Sequence, residues 1–422
     1  MKTSVVASSS PQASERSVVA AAFVAIALFV ASWTLLHLGF YKHKQLIDTP
    51  VYQRYGNAIA AGKVPYRDFE LEYPPGALPV FALPGLAKPG HDQQVSRSFR
   101  RAFETLMWLC GAAALTSMAV VLRKLRRSSA GVWAPLCFAA VAPLLLGSVI
   151  LSRFDLWPAA LVAGALAALV SGRLRVGHGL LGLGITAKLY PAVLLPLGVA
   201  YVWKREGRRE ALACLALALG VVAAIFAPFV IVSPSGVWHS LSVQLSRPLQ
   251  VESLGSALLL AGHHLFGLGV TAETSHGSQN VAGTAADWLA VASTVLQAGV
   301  LIWIWAAFVR GRSDAEALVR STAATLCAFV AFGKVLSPQF PIWLIPIVPL
   351  VRGRRGLVAS ALLGLALVLT QFWFPFRYFR LALNFETDLS WVLLARDLTF
   401  VALVGVLVVT LRHTGATRPE SP

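Results

Sequence analysis

Carboxylates and tyrosines are concentrated in the stretch of the chain between Asp48 and Tyr73. The residues of this stretch that could do chemistry include Asp48, Tyr52, Tyr66, Asp68, Glu70, Glu72 and Tyr73. A carboxylate held beside a substrate can act as a general base that removes the proton of a hydroxyl group. A tyrosine ring can stack on a sugar or hydrogen-bond to it. The pattern is typical of a catalytic loop, although solvated loop charges would give the same composition.

A second group of polar residues interrupts strongly apolar sequence. Its members are Arg153, Asp155, Lys188, Tyr190, Lys334 and Gln339. A charge in apolar surroundings is costly unless it is paired or has a function. Lys188 has no acid near it in the sequence, which predicts that it binds a phosphate or pairs with an acid from another segment. The adjacent residues Arg396 and Asp397 are instead expected to form a structural ion pair.

The composition of the chain indicates the environment of these residues. Of 422 residues, 57% are hydrophobic and 13% are charged, whereas an ordinary soluble domain carries about 25% charged residues. This predicts an all-α polytopic integral membrane protein and argues against a disulfide scaffold, a disordered chain and a soluble nucleic-acid binder. The net charge of +17 is attributed to Lys and Arg in cytoplasmic loops, so nucleic acid is not expected as a partner.

Apolar runs of about 20 residues, the length that crosses a bilayer, recur along the chain. Ten spans are predicted, at 17–40, 104–122, 132–151, 155–171, 210–233, 286–309, 317–335, 339–351, 356–375 and 391–411. The apolar segment 176–203 has basic clusters on both sides, so a single crossing would place one cluster outside. We therefore predict two short helices that enter and leave from the cytoplasmic side, with Lys188, Tyr190 and Pro191 near the turn. If both halves cross, the chain has twelve spans.

This threading places the basic clusters on one face, which is predicted to be cytoplasmic together with both termini. The clusters lie at 123–127, 173–175, 204–209, 310–312 and 352–355. The predicted organisation is a cytoplasmic tail at 1–16, one transmembrane domain at 17–411 and a cytoplasmic tail at 412–422. Extracytoplasmic loops are expected at 41–101 and 232–285, with apolar helical pieces near 76–86 and 254–268.

Metal-binding and nucleotide-binding patterns do not appear in the sequence. It contains no HExxH, CxxC or P-loop motif and no DxD pattern around Asp48. Neither a metal nor a cofactor is therefore expected. The cysteines lie in apolar runs without metal spacing and are interpreted as small buried hydrophobes; they are Cys110, Cys137, Cys214 and Cys327.

These residues, in this order, resemble the polyprenol-phosphate-mannose-dependent alpha-mannosyltransferases of glycosyltransferase family 87, which belong to the GT-C superfamily. The resemblance extends over roughly residues 17–411. It is carried by Asp48, Tyr52, Pro65-Tyr66-Arg67-Asp68, Glu72-Tyr73-Pro74-Pro75, Arg153–Asp155, Ala187-Lys188-Leu189-Tyr190-Pro191, Lys334, Ser337-Pro338-Gln339 and Trp343.

The resemblance implies a GT-C type fold with about 10–12 transmembrane helices and long extracytoplasmic loops. It implies transfer of mannose, with inversion, from polyprenol-phosphate mannose to a glycolipid or lipoglycan acceptor on the outer face of the plasma membrane. Asp48 matches the family's general base near the end of the first span, and Asp68 or Glu72 could replace it.

The same resemblance implies roles for the other polar residues. Lys188, Lys334 and Arg153 would neutralise the leaving phosphate in a site of low dielectric constant. Tyr52, Tyr66 and Tyr73 would contact the sugar, and the apolar spans would hold the polyprenyl tail. The expected substrate-binding set is completed by Asp68, Glu72, Asp155, Tyr190 and Gln339.

Two other functions fit the same sequence. A transporter or flippase of a lipid-linked sugar would use the charges within the membrane but would need no base in the outer loop. The inverted repeats that are common in transporters are not apparent here. An arabinosyltransferase that uses decaprenyl-phosphate arabinose is the other alternative, because the sequence does not separate these sugars.

Overall fold

The computed structural model describes residues 12–42, 48–87 and 95–412. The structure is 77% helical. Its helices are α1 Glu15–Leu35, α2 Thr49–Ala60, α3 Leu78–Ala87, α4 Arg97–Lys124, α5 Ser129–Leu146, α6 Leu156–Val170, α7 Leu174–Ala187, α8 Leu195–Glu206, α9 Arg208–Val232, α10 Pro234–Leu245, α11 Leu254–Phe266, α12 Thr284–Arg310, α13 Ala315–Phe332, α14 Gly353–Trp373, α15 Tyr378–Asn384 and α16 Thr387–Arg412. One antiparallel hairpin joins β1 Thr271–Ser275 to β2 Ser278–Ala282.

The predicted fold class, an all-α polytopic membrane protein, is confirmed. Among the described residues, eight helices are long and apolar enough to cross a membrane: α1, α4, α5, α9, α12, α13, α14 and α16. They correspond to eight of the ten predicted spans. Few residues of α9 and α12 are buried inside the protein, so these two helices offer most of their apolar surface to lipid.

Two predicted spans have a different form. The span at 155–171 is the shorter helix α6, and the span at 339–351 is not a continuous α-helix. Phe340–Trp343 and Val348–Leu350 are 3-10 turns instead, because Pro341, Pro346 and Pro349 lack the N–H that an α-helix requires. Irregular backbone at this depth is tolerated because the segment is buried in protein.

The first span also ends earlier than predicted. Helix α1 ends at Leu35, and a 3-10 turn, Gly39–Lys42, follows it. The ring of His37 is 3.0 Å from the carbonyl of Trp33, and Gly39 adopts a positive φ of 54°. Apolar composition continues through these residues, but the helix does not.

The segment between the second and third basic clusters forms the predicted pair of short helices. Helix α7 ends at Ala187, a 3-10 turn occupies Tyr190–Leu194, and α8 follows. Arg175 at the start of α7 bonds Glu210, just after the end of α8, at 2.8 Å. The two helices therefore form a hairpin whose apex carries Lys188.

Ion pairs and hydrogen bonds gather the basic clusters at one end of the helix bundle, which we call the basic end. Arg123 pairs with Glu15 at the start of α1. Arg127 donates to both carboxylate oxygens of Glu316 at 2.7 and 2.9 Å. The ammonium of Lys204 donates to the carbonyl of Gly311 at 2.8 Å.

Parts of the predicted tails and of the first loop lie outside the described residues. These parts are 1–11, 43–47, 88–94 and 413–422, so the loop residue Asp92 is among them. The boundaries of the single domain at 17–411 remain a prediction.

Replacing Glu316 with Gln should destabilise the basic end. The side chain of Arg127 is only 6% exposed, and its guanidinium would lose its counter-charge. We expect a loss of up to about 3 kcal/mol, since breaking a buried pair leaves an uncompensated charge. Thermal unfolding in detergent measures this loss.

The matched control is Glu210→Gln, which removes the acid from another two-bond Arg–Glu pair. Arg175 in that pair is 67% exposed, so the loss should be much smaller than that of Glu316→Gln. Equal melting temperatures for the two variants would contradict the expectation.

Candidate functional site

The candidate site lies at the end of the bundle opposite to the basic end. Three connecting segments meet there: the start of α2, the turn 147–155 between α5 and α6, and the apex of the α7–α8 hairpin. The segment 333–343, which follows α13, closes the group. Four separate parts of the sequence therefore contribute to one site.

Asp48 immediately precedes α2 and contacts Arg153. Pro50 occupies the first turn of the helix, and the carboxylate of Asp48 makes no hydrogen bond that caps it. The carboxylate instead forms an ion pair with the guanidinium of Arg153. The hydroxyl of Tyr52 donates to it over a long 3.4 Å. The side chain of Asp48 remains 28% exposed, whereas that of Arg153 is 10% exposed, so the acid faces the open side of the pair.

The second ion pair of the site joins the hairpin apex to the start of α6. The ammonium of Lys188 donates to Asp155 Oδ1 at 2.7 Å, and the indole N–H of Trp343 donates to the same oxygen at 2.6 Å. Asp155 is fully buried. Of the two possibilities that the sequence left open for Lys188, pairing with an acid from another segment is therefore confirmed.

Aromatic rings surround the ammonium of Lys188. It lies 5.0 Å from the ring centroid of Phe154, 5.6 Å from that of Phe340 and 5.1 Å from that of Trp343. Tyr190 stacks on Trp343 with a centroid distance of 4.0 Å. These contacts stabilise a cation in largely aromatic surroundings.

The candidate tyrosines belong to the structural frame of the site. Tyr52 is 1% exposed and stacks on Phe81 at 4.7 Å, so only its hydroxyl points toward Asp48. Tyr73 lies edge-on to Phe154 at 4.9 Å. Burial raises the pKa of both hydroxyls well above their usual value, which keeps them neutral. Tyr66 donates to the carbonyl of Tyr73 at 2.7 Å and holds the loop closed.

A further cation, Arg247, lies near the two ion pairs. It donates to Glu72 at 2.5 Å, and Gln244 donates to the carbonyl of Glu72 at 3.2 Å. The charges of Arg153 and Arg247 both act on Lys188. Three cations and three carboxylates thus occupy one region of the protein.

Three predicted site residues make contacts outside the three ion pairs. Asp68 accepts from the Arg67 side chain at 2.9 Å and from the backbone of Val64 at 2.7 Å. These bonds, led by that of Arg67, lower its pKa to about 2. Lys334 donates to the carbonyl of Leu245, at the C-terminal end of α10, at 3.1 Å. Gln339 begins the 3-10 turn at 340–343, where its carbonyl accepts from Ile342.

The structure adds residues that the sequence did not assign to the site. Glu252 is 1% exposed, and its backbone carbonyl accepts from Arg396 at 2.6 Å. Burial raises the pKa of Glu252 to about 7. Glu252 and Tyr378 both lie close to Arg153. No motif surrounds Tyr378 in the sequence, whereas the polar run before α11 was a signal for Glu252.

The expected pair of Arg396 and Asp397 is confirmed, with 2.8 Å between Nε and Oδ1. Both side chains are fully buried, and the guanidinium lies over the ring of Trp373 at 5.4 Å.

Within residues 12–42, 48–87 and 95–412, no group of three or more His, Cys, Asp or Glu side chains could hold a metal ion.

Comparison with known families gives one match. The family model described as Glycosyltransferase family 87 matches residues 71–338, which is more than half of the chain. The match includes Glu72, Arg153, Asp155 and Lys188, and it begins after Asp48. A search of curated proteins found no match.

Replacing Asp155 with Asn should destabilise the protein more than replacing Trp343 with Phe. The first change removes the counter-charge of Lys188 and should cost about 3–5 kcal/mol. The second removes one hydrogen bond and part of a buried ring but leaves the ion pair, so we expect a smaller loss of about 2 kcal/mol. A thiol-reactive dye can follow unfolding through the free cysteines Cys110, Cys137, Cys214 and Cys327. The opposite order of stability would show that the ion pair does not hold the apex in place.

Proposed function

The chain belongs to glycosyltransferase family 87, and we propose that it transfers mannose from polyprenol-phosphate mannose to a glycolipid or lipoglycan acceptor. The membrane spans and the family together make it a membrane glycosyltransferase. The proposal adds the donor, the acceptor class, inversion at the sugar carbon and Asp48 as general base. It requires no metal or cofactor.

The observation that carries the proposal is the contact between Asp48 and Arg153. It places a partly exposed carboxylate beside a buried cation, and these are the two groups that a displacement at a sugar phosphate needs. The base must meet the acceptor hydroxyl, and a cation must stabilise the phosphate that leaves. The two side chains come from parts of the chain that are 105 positions apart.

The reaction proceeds as a single displacement. Asp48 accepts the proton of the acceptor hydroxyl while the oxygen bonds to the anomeric carbon of mannose. The bond between that carbon and the phosphate oxygen breaks, and its electron pair remains on the phosphate. Attack from the side opposite to the leaving group inverts the configuration of the carbon.

Binding of the donor changes the partners of the cations. Each of the three cations is paired with an acid: Arg153 with Asp48, Lys188 with Asp155, and Arg247 with Glu72. A phosphate that draws Arg153 toward itself would leave Asp48 free to accept a proton. The donor therefore activates the base, and the base stays paired when no donor is bound.

An apolar groove on the lipid-facing surface is suited to the polyprenyl tail. It has a volume of about 550 Å³ and runs from the hairpin apex toward the basic end, lined by Leu195, Pro196, Val199, Ala200, Trp203 and Lys204 of α8, with Leu215 of α9 and Val309 of α12. The groove begins at Leu195, directly after the turn that carries Tyr190. A tail in this groove would leave its phosphate near the hairpin apex.

The distribution of charge supports an extracytoplasmic site. The basic clusters lie at the end opposite to Asp48, and an excess of Lys and Arg marks cytoplasmic loops. We therefore place the site on the outer face of the plasma membrane and both termini in the cytoplasm. We further propose that residues 17–411 form one catalytic domain of the GT-C type.

Family membership favours transfer over transport of a lipid-linked sugar. It does not choose between mannose and arabinose, so the assay uses both donors. If only arabinose from decaprenyl-phosphate arabinose is transferred, the proposed donor changes from mannose to arabinose, and the proposed site stays the same.

Asp48→Asn should lower the rate of transfer by about 10²–10⁴-fold, the usual contribution of a general base, while the protein stays folded. Transfer of labelled mannose to a panel of glycolipids measures the rate. Asp287→Asn, an exposed acid at the start of α12, is the matched control and should keep full activity. Full activity of Asp48→Asn, with loss in Asp68→Asn or Glu72→Gln, would move the base to that residue.

Lys188→Gln should raise the KM for the donor about tenfold or more, the effect of losing a charged hydrogen bond, with little change in the KM for the acceptor. Because the change also leaves buried Asp155 without its counter-charge, the donor KM is measured at a temperature at which thermal unfolding shows the variant to be folded. Lys124→Gln, an exposed lysine in the last turn of α4 at the basic end, is the matched Lys→Gln control and should keep the KM for the donor unchanged. Donor kinetics equal to those of the parent would remove Lys188 from phosphate binding.

A further inference from the structure

A polar cleft opens beside the site, between the first loop, α10 and the tip of the β-hairpin. It has a volume of about 480 Å³, and its lining includes Arg54, Tyr55, Phe69, Glu70, His239 and His276. The side chains of Arg54, Glu70 and His239 are exposed, so the cleft faces water. None of these residues takes part in the displacement described above.

The β-hairpin is held so that its tip forms one wall of the cleft. The two turn residues, His276 and Gly277, have positive φ angles of 53° and 67°, as a tight two-residue hairpin turn requires. His276 Nε2 lies 3.3 Å from the hydroxyl of Ser246. A bridge between Gln250 and Asn280 joins the second strand to the segment before α11.

The lining of the cleft has the chemistry of a carbohydrate site. The rings of Tyr55 and Phe69 lie nearly parallel, at 26°, with centroids 6.0 Å apart, and they offer apolar faces against which a sugar ring can pack. Carboxylate, imidazole and guanidinium groups around them can hydrogen-bond to sugar hydroxyls. The charged side chains of the lining make the cleft unsuitable for an apolar polyprenyl chain.

The cleft is continuous with the site through two residues. Glu72 lines the cleft and also pairs with Arg247. Tyr55 lies on the same helix as Tyr52, whose hydroxyl contacts Asp48. Seven residues of helix rise about 10 Å, so Asp48 and Tyr55 are too far apart for one sugar to contact both.

We propose that this cleft binds the sugars that precede the reacting sugar in an oligosaccharide acceptor. The terminal sugar would present its hydroxyl to Asp48, and the second and third sugars would lie against Tyr55 and Phe69. The enzyme would then extend a glycan chain rather than add the first sugar to a lipid. This inference rests on the proposed function, because it assumes that Asp48 receives the acceptor hydroxyl.

Acceptors of increasing length test the inference. The full-length enzyme in lipid nanodiscs is given labelled polyprenol-phosphate mannose and octyl glycosides with one, two or three sugars, in a mannose series and a glucose series. We expect the KM to fall about tenfold between the one-sugar and the three-sugar acceptor of the series that is used. A KM independent of length in both series would overturn the inference.

Glu70→Gln and His239→Gln should remove most of this gain. They should raise the KM for the three-sugar acceptor about threefold to tenfold, with the KM values for the donor and for the one-sugar acceptor unchanged. Glu273→Gln, on an exposed position of β1 outside the cleft, is the matched control. Variants that behave like this control would also overturn the inference.

A binding measurement separates this inference from the proposed function. Calorimetry with the methyl glycosides of the three-sugar chains reports binding without transfer. Binding that Glu70→Gln weakens, in the absence of any transfer, would support the cleft and overturn the proposed reaction. Transfer that does not depend on acceptor length, without such binding, would overturn the cleft and keep the reaction. Absence of both binding and transfer would overturn both.

Discussion

The buried carboxylate of Asp155 is the constraint on which the site depends. An ionised acid without access to water must be paired and hydrogen-bonded, because its desolvation costs several kcal/mol. Lys188 and Trp343 meet this requirement through one oxygen, at 2.7 and 2.6 Å. The hairpin apex and the segment after α13 are thereby fixed against the start of α6. Arg153 is two residues from Asp155, so the same constraint sets its position relative to Asp48.

The irregular backbone of this region follows from the same requirement. At the break between α7 and α8, Lys188 has an extended backbone with φ −160° and ψ 143°, and its ammonium donates to Asp155. The prolines of 339–351 serve a similar purpose, since the 3-10 turn at Phe340–Trp343 places both rings beside Lys188. The long helices α9 and α12 contribute no residue to the three ion pairs of the site. They are continuous helices that face lipid.

Hydropathy predicted the fold well because the thickness of the bilayer sets the length of each span. Each apolar segment must meet this length by itself, whatever the rest of the chain does. The position of Lys188 near a turn was predictable for a related reason, since basic clusters on both sides ruled out one crossing. The end of α1 and the form of 339–351 were missed. Helix ends and proline effects depend on local hydrogen bonds that average hydropathy does not record. Four prolines between 338 and 349 were a signal that was available.

The residues of the site were easier to predict than their partners. Charge in apolar sequence identified Asp48, Arg153, Asp155 and Lys188 one at a time, but which cation meets which acid depends on how distant segments pack. The contacts also give Asp68 and Lys334 other partners, the Arg67 side chain and the carbonyl of Leu245. The six charges neutralise one another in pairs, so none of them is left without a counter-charge when no substrate is bound. Under the proposed function, the phosphate of the donor would disturb this balance, and its charge would make the base available.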